Sequence, residues 1–213
     1  MPFMPTPTRA CFPLTAAREA QLRAALVREA KSWDGTPYVQ LADVKGPKGA
    51  VDCSMLLVRS VVDAGIFEPF DPRPYEPGWH LHHDEEKYLA WLETIGVEIE
   101  ASQAQGGDVM ACRFGLCFSH GGVLIDRTRV VHALMQHGRC SVTDLHEAFL
   151  LYERPEGGSV RRPWAKRPRK FFDLFAGIRR WATQDTKTIE DCRAKLSNVE
   201  RFAGLPWVPE AEH

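Results

Sequence analysis

The sequence predicts an α+β fold, in which a central helix packs on an antiparallel sheet. Three observations predict it. Helical patterns occupy residues 15–95, and five short strand-like runs follow between residues 97 and 154. One of the helices, starting at Cys53, is apolar around nearly its whole circumference, the mark of a buried helix.

Residues 1–14 form a lead in which Pro2, Pro5, Pro7 and Pro13 interrupt any helix; it lacks a basic segment before an apolar run, so no signal peptide is read. Thr15 can cap a helix running to about Trp33, with Leu22, Ala25, Leu26, Ala30 and Trp33 on one face. Gly35-Thr36-Pro37-Tyr38 breaks it, and the loop DVKGPKGAV leads to Asp52. Asp52 is a natural N-cap for the helix CSMLLVRSVVDAG, which closes at Gly65. An irregular loop rich in proline, FEPFDPRPYEPGWH, spans residues 67–80, and a third helix covers Asp84 to Thr94. The strands are VEIE, DVMACRF, HGGVLID, RVVHAL and LLYER.

After Glu156 the composition shifts. RRPWAKRPRK (161–170) holds six basic residues and none acidic, and two amphipathic helices are expected after it, FFDLFAGIRRWA and TIEDCRAKLSNVERFAG. The organisation expected is therefore a lead (1–14), one domain (15–156), and a basic linker with a helical extension (157–213). The basic run reads either as a solvated linker or as an arm docking on an acidic partner, and Phe171, Phe172, Leu174 and Phe175 need a cover.

Composition bounds the function without naming it. The 213 residues are 44% hydrophobic, enough for a core without disulfides or metal, and no window reaches the ~20 apolar residues of a membrane span. The formal charge of −1 argues against a general nucleic-acid binder. The six cysteines include no CxxC pair. Cys112, Cys117 and His120 form half of a metal-ligand set with no second half, and the His80/His82 alternation likewise lacks a partner pair, so no metal site is assigned. Trp79 and His80 are read as rim or packing residues.

The chemistry rests on one cysteine and two histidines. Cys53, in the first turn of its helix, meets free backbone N–H groups and the helix dipole, which favour a thiolate nucleophile; the plain alternative is a small buried hydrophobe. His120 and His132 fall in strands joined around Asp126-Arg127-Thr128. A two-residue loop pairs Val123 with His132 and sends the histidines to opposite faces. A three-residue loop pairs Gly122 with His132 and makes His120 its diagonal neighbour, about 7–8 Å away, as a base and its orienting group require.

GTPY (35–38), DCSMLL (52–57), GDVMAC (107–112), SHGGVLI (119–125) and VVHA (130–133) resemble, in that order, the signature blocks of the NlpC/P60 family of cell-wall cysteine peptidases. The match spans roughly residues 16–155, and Met55 departs from it where many members carry glycine. The resemblance implies a papain-like fold and hydrolysis of amide bonds in peptidoglycan stem peptides, with no metal or organic cofactor. It makes Cys53 the nucleophile, His120 the base and His132 the polar third residue, with Tyr38, Asp52 and Ser54 lining the substrate and oxyanion site. YEPGWH (75–80) is similar to the subgroup carried at the tail tips of phages and gene transfer agents, which implies a virion location and assembly partners, expected here through residues 161–175. Two other functions stay open: a structural tail protein with an unused site, and a papain-like acyltransferase.

Overall fold

In a computed structural model of the chain, residues 5–76, 78–153 and 157–183 are described. The second amphipathic helix expected in the C-terminal tail lies outside them. The fold is α+β, with five α-helices among the described residues: α1 (Ala16–Lys31), α2 (Cys53–Asp63), α3 (Trp79–His82), α4 (Lys87–Ile95) and α5 (Leu174–Ala182). The ten strands among the described residues are β1 (Asp43–Val44), β2 (Ala50–Val51), β3 (Val97–Ile99), β4 (Val109–Phe114), β5 (Cys117–Leu124), β6 (Arg129–Leu134), β7 (Arg139–Asp144), β8 (Phe149–Glu153), β9 (Ser159–Pro163) and β10 (Arg169–Asp173). Among the described residues no helix is long and apolar enough to cross a membrane.

The helices begin where capping chemistry allows. The Thr15 side chain accepts from Arg18 N at 3.2 Å, Asp52 Oδ1 from Met55 N at 2.8 Å, and Asp173 Oδ1 from Phe175 N at 2.8 Å. Each satisfies a first-turn donor that lacks an intrahelical partner. α2 ends before Gly65, whose φ of 72° is the left-handed conformation glycine adopts without strain.

Strands β3, β10, β4, β5, β6 and β7 form, in that order, one antiparallel sheet. Its faces alternate along each strand, as the pleat requires. Val109, Ala111, Val123, Val131 and Ala133 face α1, α2 and α4, together with Leu26, Met55, Leu56 and Leu92. Met110, Cys112, Leu124, Val130 and Leu134 face the other way, against Leu150 and Trp164. Met55 is 1% exposed and packs within the core on the helix-covered face.

The segment expected to lie outside the domain belongs to it, and the boundary near residue 156 is corrected accordingly. β10 hydrogen-bonds to β3 on one side and β4 on the other, so the sheet is not continuous without it. FFD is therefore strand and only LFAGIRRWA is helix. The apolar cluster needs no partner protein: Phe172, Leu174 and Phe175 are fully buried within this chain's own core. The basic run does not project as an arm either. Arg167 stacks over Phe114 (3.9 Å to the ring centroid), Arg169 stacks over Trp164 (4.7 Å), and Lys170 pairs with Glu98 at 2.7 Å. Pairing explains the rest: strand character at 169–173 comes from two neighbouring strands, a non-local cause that composition does not carry.

A buried ionic hub ties this late segment to the first helix. Arg23 on α1 reaches Asp108 at 2.6 Å, Asp173 at 2.7 Å and Glu19 at 2.9 Å. Three carboxylates around one guanidinium satisfy a charge that could not otherwise be buried.

Candidate active site

The site is assembled around the N-terminus of α2, where the loops before it meet β5. Asp52 is 1% exposed and holds three donors. Besides capping α2, its Oδ2 accepts from Leu41 N at 2.7 Å and from the Tyr75 hydroxyl at 2.6 Å. Leu41 has φ of 64°, a left-handed conformation that costs a branched residue roughly 1–2 kcal/mol and is held here by Asp52. Arg73, between Asp71 and Asp43, donates to the Leu41 carbonyl at 2.7 Å and latches the proline-rich loop to the same place.

Cys53 opens α2 and is half-buried. Its sulfur lies 4.0 Å from the Ser119 carbonyl and beside the Gly121 N–H and the Ser54 hydroxyl. Burial pushes the thiol up to about 12, and the Asp52 charge pushes in the same direction. The helix-terminus effect expected to favour a thiolate is thus outweighed by desolvation, and the resting group is a neutral thiol.

Three tyrosines surround this position. Tyr38 is held by a parallel bridge to Val51 and by its N–H to the Gly138 carbonyl at 2.8 Å, next to the edge of β7. Tyr75 reaches Asp52 and lies close to Ser54. Tyr88, from α4, packs its hydroxyl into the place a Cβ on residue 121 would take. That hydroxyl is buried without a hydrogen-bond partner among the described residues. Burial, then the neighbouring Cys53 and Asp52 charges, raises Tyr38 and Tyr88; for Tyr75 burial is followed by Asp52.

The histidines meet beyond the two paired positions of β5 and β6. Val123 pairs with Val131 and Leu124 with Val130, which is the register of the three-residue loop. His120 Nε2 and His132 Nδ1 lie 2.9 Å apart, and His132 Nε2 continues to the Thr143 hydroxyl at 2.8 Å. Phe114 meets His120 edge-on (5.3 Å between centroids), and Trp164 covers His132 at 5.1 Å. Burial lowers His120 to about 3, helped by the Arg167, His137 and His80 charges. Burial, followed by the His120, His137 and Arg169 charges, takes His132 well below the usual imidazole range. Both rings are neutral.

The structure thus brings Asp52, Cys53, Ser54 and Tyr38 into one neighbourhood and joins His120 to His132. Cys53 touches β5 through the backbone on either side of His120, and among the described residues no hydrogen bond joins the thiol to the imidazole. Trp79 stacks on His83 (3.8 Å) under the Lys87 ammonium, and the His80 carbonyl accepts from Leu116 N at 2.8 Å beside the β4–β5 turn. Cys112 is buried near Arg167 and Arg169, whereas Cys117 lies near Glu86 and Arg113. Among the described residues no group of three His, Cys, Asp or Glu side chains could hold a metal ion.

Four site residues escaped the sequence reading. Tyr75 stood inside YEPGWH, a block noticed only as a whole. Tyr88 lies within the third helical pattern and carries no signal of its own. Thr143 lies on β7, for which RCSVTD gave no strand signal, and Trp164 stands inside the basic run. Neither a protein-family model nor a curated protein matches the chain.

Proposed function

We propose that the chain is a cysteine peptidase with a papain-like, NlpC/P60-type fold, and that it hydrolyses amide bonds in peptidoglycan stem peptides. The observation that carries the reading is the 2.9 Å link between His120 Nε2 and His132 Nδ1. It commits one nitrogen of each ring to an orienting bond and leaves His120 Nδ1 for proton transfer, the division of labour that a nucleophile–base pair with a third group requires.

In the reaction, the Cys53 thiol gives its proton to His120 Nδ1 as the sulfur attacks the scissile carbonyl carbon. The Cys53 backbone N–H, with the Tyr38 hydroxyl, stabilises the oxyanion. The His120 imidazolium then protonates the leaving amine as the C–N bond breaks, giving a thioester. Water, losing its proton to His120, attacks the thioester, and the carboxylate leaves as the thiol is restored. With both groups neutral at rest, proton transfer accompanies attack. The thiol–imidazole contact closes when substrate binds, as catalytic hydrogen bonds commonly do. A role at a phage tail tip is part of the same proposal and rests on the YEPGWH block.

A second reading has one observation in its favour. A neutral thiol without a hydrogen bond to His120 is what a structural protein with an unused site would also have. Digestion of purified muropeptides, beside Cys53→Ala and under reducing conditions, separates the two. The peptidase releases stem-peptide fragments that the variant does not; absence of fragments from the wild-type chain supports the structural reading.

A further inference from the structure

Two buried neutral histidines hold two ring protons between them, and each of the 2.9 Å and 2.8 Å contacts needs one proton, from a ring nitrogen or from the Thr143 hydroxyl. The three-member chain His120–His132–Thr143 therefore runs in one of two directions. In one, the Thr143 hydroxyl donates to His132 Nε2, His132 Nδ1–H donates to His120 Nε2, and the His120 proton is left on Nδ1, where it blocks the base. In the other, His120 Nε2–H donates to His132 Nδ1, His132 Nε2–H donates to Thr143 Oγ1, and His120 Nδ1 keeps its lone pair.

We propose that Thr143 is a positioning residue of the site, accepting the His132 Nε2–H and so fixing the tautomer that makes His120 Nδ1 basic. This rests on the peptidase reading for its catalytic consequence, but the tautomer itself does not. Register puts Thr143 in place: β7 pairs Ser141 with His132 and Thr143 with Val130, so Thr143 is the diagonal neighbour on the same face. The nearer candidate, Ser141, is engaged with His137 Nδ1 at 3.1 Å. Thr143 is 5% exposed and His132 is fully buried, so bulk water does not compete for the bond. Trp164, whose Nε1 donates to the Asp144 carbonyl at 2.9 Å, closes the chain from above.

The test is nitrogen-15 NMR of the histidine rings in the full chain, alongside muropeptide kinetics. The wild-type protein and Thr143→Ser are expected to carry the His132 proton on Nε2. Thr143→Val, isosteric but without an acceptor, is expected to move it to Nδ1. On the peptidase reading, kcat falls about 10–100-fold in the valine variant, the scale of a lost outer-shell partner, with KM within about twofold, and serine restores it. Thr143→Ala is read in the same way should the valine variant not fold. An unchanged His132 tautomer in a folded variant without the hydroxyl overturns the proposal, as does a serine variant that behaves like valine. A wild-type chain that cuts nothing, yet whose tautomer answers to Thr143, sinks the peptidase reading and leaves the assignment standing.

Discussion

Gly122 faces His132 so closely that a Cβ on residue 122 would lie 2.9 Å from the His132 Cβ, 2.7 Å from Val130 Cγ2, and in collision with the Val131 carbonyl oxygen. This glycine lets β5 and β6 close on each other in the register that makes His120 the diagonal neighbour of His132. Gly122→Ala is expected to destabilise the fold by about 1–3 kcal/mol in chemical denaturation, the usual cost of overpacking. It should also abolish cleavage by separating the rings. An alanine variant within about 0.5 kcal/mol of wild type would show that the strands tolerate the methyl group.

Acid should weaken the fold through the buried histidines. His120 is lowered from 6.5 to about 3 and His132 lies well below 6.5, so between those values the unfolded chain binds protons that the folded one refuses. Stability is then complete above about pH 6.5 and declines as pH falls toward 3, by at most about 1.4 kcal/mol per pH unit for each ring. His80 and His137 are lowered too and act in the same direction. Urea unfolding at pH 7 and pH 5 is expected to show a loss of roughly 2 kcal/mol or more at the lower pH. His120→Asn should reduce that loss; equal stability at both pH values would contradict the neutral-pair account.

The thiol makes a separate prediction. With its pKa pushed up to about 12, Cys53 is expected to react slowly with iodoacetamide at pH 6 and progressively faster through pH 9 and above, followed by peptide mapping. Fast alkylation that is independent of pH down to 5 would instead mean a preformed thiolate–imidazolium pair.

A chain cut after residue 156 loses β10 from between β3 and β4, the carboxylate of Asp173 from the Arg23 hub, and Trp164 from over His132. It is expected to show no cooperative thermal melt by circular dichroism. A sharp melt in the truncated chain would return the domain boundary to residue 156.

Local signals were legible in the sequence and long-range ones were not. Thr15, Asp52 and Gly65 punctuate helices through bonds to their own neighbours, so the first two helices could be read to within a few residues. The alternative registers of His120 and His132 followed from counting loop residues, because a strand's faces alternate strictly. β10 gave no such signal: Arg169–Asp173 is a strand because β3 and β4 flank it, and its phenylalanines looked exposed only while those neighbours were unknown. The raised Cys53 thiol is hidden from the sequence for a related reason. The helix terminus is visible in sequence, whereas the tyrosines and β5 backbone that desolvate Cys53 arrive from residues 38, 75, 88 and 119–121. Thr143 stayed hidden because only the β6–β7 pairing makes it a neighbour of His132.

The measurement that bears most directly on Cys53 as nucleophile is acid-quenched mass spectrometry of the full chain mixed with a peptidoglycan stem peptide. A thioester adduct with the mass of the acyl fragment is expected on the proteolytic fragment containing Cys53, appearing before free product and absent from Cys53→Ala. Product formed without any adduct, and undiminished in Cys53→Ala, would contradict the account.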